Sequence, residues 1–166
     1  MKSRLAAIVL AGIAIMGMAA TIIVNADFKG EWTFNEKKST LSEGRFRMNA
    51  QKIKVSADGD AIVIERTSNT PNGEARTTSE KITTDGKPSE STVFGNNKKV
   101  STAAWSASGE ELTIKSTTNF ERDGNTIEIK SVEIWKLLDG GKGLSIEATS
   151  TSPRGETKNT FVYDKN

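Results

Sequence analysis

The sequence predicts an all-β fold, an antiparallel up-and-down meander of about eight to ten strands closed into a barrel. Three observations carry this. Apolar residues recur with a period of two in run after run, and helical periodicity is almost absent. Turn dipeptides separate the runs at intervals of about 10 to 15 residues, the rhythm of a meander. Thr, Ser, Val and Ile dominate the runs, and the β-branched members of that set suit a pleated surface.

The first strand, near residues 28–35, places Phe28, Gly30, Trp32 and Phe34 on one face and Lys29, Glu31, Thr33 and Asn35 on the other. Glu36 to Asn49 breaks the pattern. It is expected to hold a short helix or a lid-like loop, whose Phe46 and Met48 pack if it folds back over an opening. Further strands are expected near residues 50–57, 61–68, 75–84, 89–95, 98–106, 111–120, 125–137, 143–151 and 156–164. Ile53 and Val55 alternate with lysines; Leu112, Ile114, Ser116, Thr118 and Phe120 share one face, as do Leu144, Ile146 and Ala148.

Between these runs lie Asp58-Gly59, Asn72-Gly73, Asp85-Gly86, Ser108-Gly109, Asp123-Gly124, Asp139-Gly140 and Pro153-Arg154-Gly155. Asp-Gly and Asn-Gly supply the positive φ that tight hairpin turns require. The strands at Ile62–Thr67, Leu112–Thr117 and Leu144–Thr149 each follow a turn glycine and precede another, at offsets of 14, 15 and 14 residues between the paired glycines. The unit is a hairpin, too small for a domain, so its copies belong in one sheet, unless the likeness is only that of any meander to itself. A sheet of this many strands removes its exposed edges by closing, and the resulting interior is wide enough to be filled or to hold one small ligand.

The N-terminus has a different character. Met1 to Arg4 carry two positive charges, Leu5 to Val24 are 20 residues without charge, and Val24-Asn25-Ala26 offers the small-residue pattern of a signal-peptidase site. Residues 1–26 are expected to be a cleaved signal peptide, with an uncleaved membrane anchor as the alternative because the run is long enough to span a bilayer. The domain is then residues 27–166, exported to the periplasm or the extracellular space, and a membrane partner enters only if the segment is retained. Of 23 Lys and Arg, two lie in the leader, so 21 remain against 21 acids. A neutral domain gives no electrostatic footprint for nucleic acid.

Absences narrow the chemistry. The chain has no cysteine and no histidine. Disulfides, Ser-His-Asp and Cys-His catalysis, and zinc or copper sites built on those side chains are excluded. No cofactor and no metal are expected. Carboxylate-pair hydrolysis stays formally open, though no pair stands out.

Phe28-Lys29-Gly30-Glu31-Trp32 resembles the G-x-W motif that opens the lipocalins. Glu133-Ile134-Trp135-Lys136-Leu137 running into Asp139-Gly140, then Leu144-Ser145-Ile146, a Gly-bearing turn and a last strand with Phe161, is similar to lipocalin-like domains of many secreted bacterial proteins. The resemblance covers residues 27–166. It implies a calycin-type up-and-down barrel that binds a small apolar or amphipathic molecule. It also implies that Gly30 and Trp32 close one end of the barrel, with a basic side chain from a late strand against the tryptophan. The chain departs from that pattern in lacking the T-D-x-x-Y signature, since Thr84-Asp85-Gly86-Lys87 reads as a turn, and in a strand count above eight.

The candidate ligand-binding residues are Arg66, Trp105, Phe120, Glu133 and Trp135. The three aromatics line a cavity or fill the core. Arg66 shares a face with Ile62 and Ile64, and Glu133 with Ile129 and Trp135. If those faces point inward, each charge needs a partner: the two pair with each other, Arg66 takes a ligand carboxylate, or a bulge turns the charge out to solvent. Ser116, Thr118, Ser131 and Ser150 fall on inward faces and suit a hydrated cavity or a barrel rim. The reading that follows is an exported, monomeric, non-enzymatic barrel binding a small apolar or amphipathic ligand. A solid-cored interaction module of the cell envelope is the alternative, and a barrel-scaffold isomerase or carboxylate hydrolase stands behind both.

Overall fold

A computed structural model describes residues 24–42, 49–70, 72–95, 97–122 and 124–166. Residues 1–23 of the leader expected at 1–26, and Phe46 and Met48 of the loop after the first strand, lie outside the described residues. Ten strands follow one another: β1 Gly30–Phe34, β2 Lys52–Asp58, β3 Ala61–Asn69, β4 Ala75–Thr83, β5 Ser89–Val93, β6 Asn97–Trp105, β7 Glu111–Arg122, β8 Asn125–Leu138, β9 Gly143–Ser152 and β10 Gly155–Lys165. The short helix expected after β1 is a 3-10 turn at Glu36–Lys38, capped by the Asn35 side chain. All ten strands fall where the sequence placed them from alternation and turn signals together, with ends shifted by a residue or two. The turn glycines take positive φ, from +61° at Gly59 to +117° at Gly155.

Every neighbouring pair is antiparallel, and the strand order is β4-β3-β2-β1-β10-β9-β8-β7-β6-β5. The first and last strands therefore pair with each other in mid-sheet, and sequence-adjacent β4 and β5 become the two edges. The sheet curls into a nearly closed barrel in which those edges face one another without a backbone ladder. This is an up-and-down antiparallel meander, with ten strands at the upper end of the eight to ten expected. The three similar segments are β3, β7 and β9, which all run in the same direction but are not neighbours in the sheet.

The register fixes which side chains point inward, because cross-strand partners share a face. Trp32 opposes Ile53 on one side and Lys165 on the other. Trp135 opposes both Leu112 and Ile146. Trp32, Ile53, Leu112, Trp135 and Ile146, with Ile64 and Leu144, are among the most deeply buried of the described residues and pack one end of the barrel solid. The segment before β1 folds under that end. Phe28 stacks on Trp105 with ring centroids 5.6 Å apart and meets Trp135 edge-on at 5.8 Å. The Trp32 Nε1–H donates to the Phe28 carbonyl at 2.9 Å, and Ala26 N donates to the Gly109 carbonyl at 2.8 Å.

The G-x-W motif is thereby explained physically. Lys165, the last residue of β10, lays its ammonium 5.1 Å from the centre of the Trp32 ring, a cation–π contact beneath the plug. It crosses over Gly30, where a Cβ would sit 3.0 Å from Lys165 Cε and where φ is +132°. A side chain at residue 30 would strain the backbone and push the lysine off the tryptophan. Gly59, in contrast, has positive φ but open space around it.

Gly30→Ala is therefore expected to cost about 1–3 kcal/mol, combining backbone strain with displacement of Lys165. Gly59→Ala is expected to cost less, on the order of 1 kcal/mol, from φ alone. Urea unfolding of the two variants checks the order; equal losses would remove the close approach as a constraint.

Candidate functional site

Away from the plugged end the interior changes character. On β8, Trp135 is fully buried, whereas Glu133, Ser131, Ile129 and Ile127, the next inward positions, are partly exposed. On β9 the buried Leu144 and Ile146 give way to partly exposed Ala148 and Ser150. Along β8 and β9, solvent thus reaches roughly mid-barrel from the end carrying the β3–β4, β5–β6, β7–β8 and β9–β10 turns, while Thr118 on β7 and Val93 on β5 stay buried toward that end. At its rim Phe120 packs 6.1 Å from Phe94, over whose ring Arg76 lies at 5.9 Å.

Arg66 and Glu133 meet at the floor of this opening. Ile53 opposes Arg66, and Ile114 and Ala148 flank Glu133, so both side chains share the inward face of the apolar core. Arg66 Nη2–H donates to Glu133 Oε2 at 2.7 Å, and the Trp135 indole N–H donates to the same oxygen at 2.8 Å. The guanidinium also lies 5.6 Å from the centre of the Trp135 ring. The register runs through both residues without a bulge, so the first of the three sequence alternatives, mutual pairing, describes the structure.

Two further charges complete the cluster. Glu80 on β4 is only 3% exposed; Arg66 Nη1 lies 3.4 Å from its Oε1, and Lys99 Nζ from β6 donates to Oε1 at 2.8 Å. Lys99 Nζ is also 2.8 Å from Oε2, at an angle too poor for a second hydrogen bond, so the ion pair rather than a bond serves that oxygen. Two cations and two anions thus neutralise one another inside the barrel. Burial would raise the Glu133 pKa, but the charges of Arg66 and Lys99 and the two hydrogen bonds outweigh it and hold the carboxyl below its ordinary range. Burial likewise opposes the Arg66 charge, yet Glu133 and Glu80 raise its pKa. Burial pushes the Tyr163 phenol well up, so that group stays neutral.

Around the cluster the wall is rich in hydroxyls. Ser116 and Ser131 share a hydrogen bond of 2.9 Å. Ser101 and Ser91 have buried Oγ atoms with no hydrogen-bond partner among the described residues. A separate cleft of about 200 Å³ lies under the closed end, lined by Val24, Ala26, Gly109, Glu110, Lys136 and Leu137, and contains none of the charged cluster.

Of the sequence candidates, the fold brings Arg66, Glu133 and Trp135 together, sets Phe120 at the rim, and places Trp105 at the plugged end against Phe28. Gly30 and Trp32 occupy the closure. Sequence reasoning missed Glu80, Lys99, Ser101 and Lys165. The β4 run Ala75–Thr83 carries polar residues on both faces, so no alternation marked Glu80 as inward; its one sequence signal is Ile82 two residues on.

Removing one member of the cluster leaves its partner buried and uncompensated. Glu80→Leu and Glu133→Leu are each expected to lower the unfolding free energy by about 3–5 kcal/mol, and the Arg66→Met/Glu133→Leu pair by clearly less than the sum of its singles. A double-mutant cycle in urea checks this, and additive losses would contradict a coupled cluster. Because the folded Glu133 pKa lies below its ordinary 4.5, the unfolded chain binds the extra proton as pH falls, and the carboxylate's contribution, full above pH 4.5, is lost below it. In Glu133→Gln the loss of stability with falling pH below 4.5 is expected to be shallower, measured as unfolding free energy against pH.

No protein-family model matches the sequence, and no curated protein does. Among solved structures, the chain is similar to zebrafish ileal bile acid-binding protein, crystallised with cholic acid. The identity is 15%, over 84% of this chain and 98% of that one, and the TM-score is 0.48.

Proposed function

We propose that the protein is an exported binding barrel that takes up a small amphipathic molecule through the open end. One observation carries the reading: solvent access is graded along the inner faces of β8 and β9. The interior is sealed by Trp32, Phe28 and Trp135 at one end and admits solvent from the other as far as Arg66 and Glu133. A protein needing only stability gains from filling such a space with apolar side chains, at roughly 25 cal/mol per Å² buried. Here the opening has a mixed lining, with Phe34, Phe161 and Ile129 contributing apolar surface and the serines contributing hydroxyls. That mixture suits a ligand that is itself part apolar and part polar.

Binding is preferred to catalysis because the interior carboxylates are engaged: Glu80 by Arg66 and Lys99, Glu133 by Arg66 and Trp135. Neither is placed to accept or deliver a proton without dismantling the cluster. Recruitment of a partner through an exposed sheet edge has less support, since the edges β4 and β5 face each other. Export rests on the charge and apolar pattern of residues 1–26.

The test is a native mass spectrum of the protein purified from its own cell envelope, beside a denatured one. A mass excess that disappears on denaturation is expected. The bare polypeptide mass in both, together with no fluorescence gain from 1-anilinonaphthalene-8-sulfonate, would reject the carrier reading.

A further inference from the structure

Six inward hydroxyls stand in one cross-strand row. Ser89 on β5 opposes Ser101 on β6; Ser101 opposes Ser116 on β7; Ser116 opposes Ser131 on β8; Ser131 opposes Ser150 on β9; Ser150 opposes Thr157 on β10. Neighbouring strands lie about 4.8 Å apart, so the row offers a hydrogen-bonding group about every 5 Å. Because barrel strands tilt by about 40°, each step also climbs about 3 Å along the axis. The row starts at the sealed end, where Ser89 Oγ accepts from Thr83 N at 3.2 Å, and finishes near the mouth. Ser89 is partly exposed; from Ser101 onward exposure rises toward the mouth, from 1% through 9% at Ser116 to partly exposed Ser131 and Ser150 and exposed Thr157.

A row of small residues has a structural explanation if each hydroxyl is satisfied within the protein. Ser116 and Ser131 satisfy each other. Ser101 does not: its Oγ is buried, inward and without a partner among the described residues. Ser91, one inward position further along β5, is in the same condition. An unmet buried hydroxyl is a cost that alanine would avoid. The opposite wall differs in kind. β1 lies five strands from β6 in the ten-strand order, half-way round the barrel. There Phe34 packs edge-on against Phe161 at 6.4 Å, above Ile53. Among the described residues, the ionic groups at the floor between these walls cancel and are bound to one another, so an ionised head at that depth meets no unpaired charge; Arg76 lies higher, at the rim over Phe94.

We propose that this row is the specificity surface of the binding site, and that it selects an uncharged amphipath with several hydroxyl, ether or amide groups along one edge and an apolar remainder. The proposal rests on the binding-barrel reading and goes beyond it by assigning the polar contacts and excluding an anionic head as the preferred one. The ligand's polar edge lies on Ser101, Ser116, Ser131 and Ser150, and its apolar part lies against Phe34 and Phe161.

Three probes with one tail separate the possibilities: dodecyl maltoside below its micelle-forming concentration, dodecanol and dodecanoate, each titrated by displacement of 1-anilinonaphthalene-8-sulfonate. Dodecyl maltoside is expected to bind at least tenfold tighter than dodecanoate. Ser101→Ala/Ser116→Ala is expected to weaken dodecyl maltoside at least tenfold while changing dodecanol and dodecanoate less than twofold. Thermal melts of Ser101→Ala alone are expected to match or exceed the parent, since only an unmet hydroxyl is removed. Dodecanoate binding tightest, or all three probes responding alike to the serine changes, would overturn the assignment of the row and leave the carrier reading standing. A marked loss of stability in Ser101→Ala would make that hydroxyl structural and overturn the assignment as well. No displacement by any probe, with no dye bound, would overturn both.

Discussion

The closure of this barrel depends on Glu80. Nine of the ten strand junctions are backbone ladders, and the tenth, where β4 meets β5, is made by side chains. Glu80 sits on β4 at mid-height and receives Lys99 from β6 across the junction and Arg66 from β3 beside it. Below it, Ser89 accepts from Thr83 N, and Gly86 N donates to the Ala103 carbonyl at 2.9 Å. Above it, Arg76 covers Phe94. An ion pair is an expensive way to join two strands, since each charge must leave water. It holds here because the charges balance and each carboxylate has more than one cationic or N–H partner. Once Glu80 and Lys99 are inside, Glu133 is required to balance Arg66, and Trp135 is required to complete the hydrogen bonding of Glu133. The polar centre of the barrel is in this sense a consequence of how the sheet is closed.

That centre divides the interior. Below it the barrel is packed as a protein core is, with Trp32, Trp135, Ile64 and Leu144 interdigitated and Phe28 inserted from underneath. Above it, side chains are small or partly exposed. Apolar packing and the proposed binding surface thus occupy separate halves. The sealed half carries the apolar burial that holds the fold, so the open half can keep hydroxyls that contribute little or nothing to stability. A single continuous core would have no room for Ser101, and a barrel hollow throughout would have no anchor for its lower strands.

How much of this was legible in the sequence follows from where alternation is strong. β1, β2, β7 and β9 have one apolar and one polar face, and their inward residues were read correctly from period two, including Trp32, Ile53, Leu112 and Leu144. Arg66 and Glu133 were legible as buried charges because their neighbours two residues away are apolar. β4, β5 and β6 carry Ser, Thr, Lys and Glu on both faces, so period two says nothing there, and Glu80 and Lys99 went unseen. Lys165 was hidden for a different reason. Its contact with Trp32 exists only because β1 pairs with β10, a closure joining residues over a hundred positions apart. The serine row combines both obstacles. Ser116, Ser131 and Ser150 were readable as inward, yet their alignment is a matter of register, and a slip of one residue in any strand would turn its hydroxyl outward.

The same closure decides how the chain enters and leaves. Because β1 pairs antiparallel with β10, residues 26–29 before β1 and Asn166 after β10 both sit at the sealed end, where Asn166 N donates to the Glu31 carbonyl at 3.0 Å. Phe28, whose ring plugs that end, stands only two residues beyond Ala26, the last residue of the expected leader. A leader ending at Ala26, as the charge pattern of residues 1–26 leads one to expect, would therefore join the domain at the end opposite the mouth. Had the meander begun at a sheet edge with the opposite strand direction, the first residues would have crossed the opening instead. The direction of β1, which starts at the sealed end and runs toward the mouth, thus keeps the N-terminal side of the domain and the open end apart.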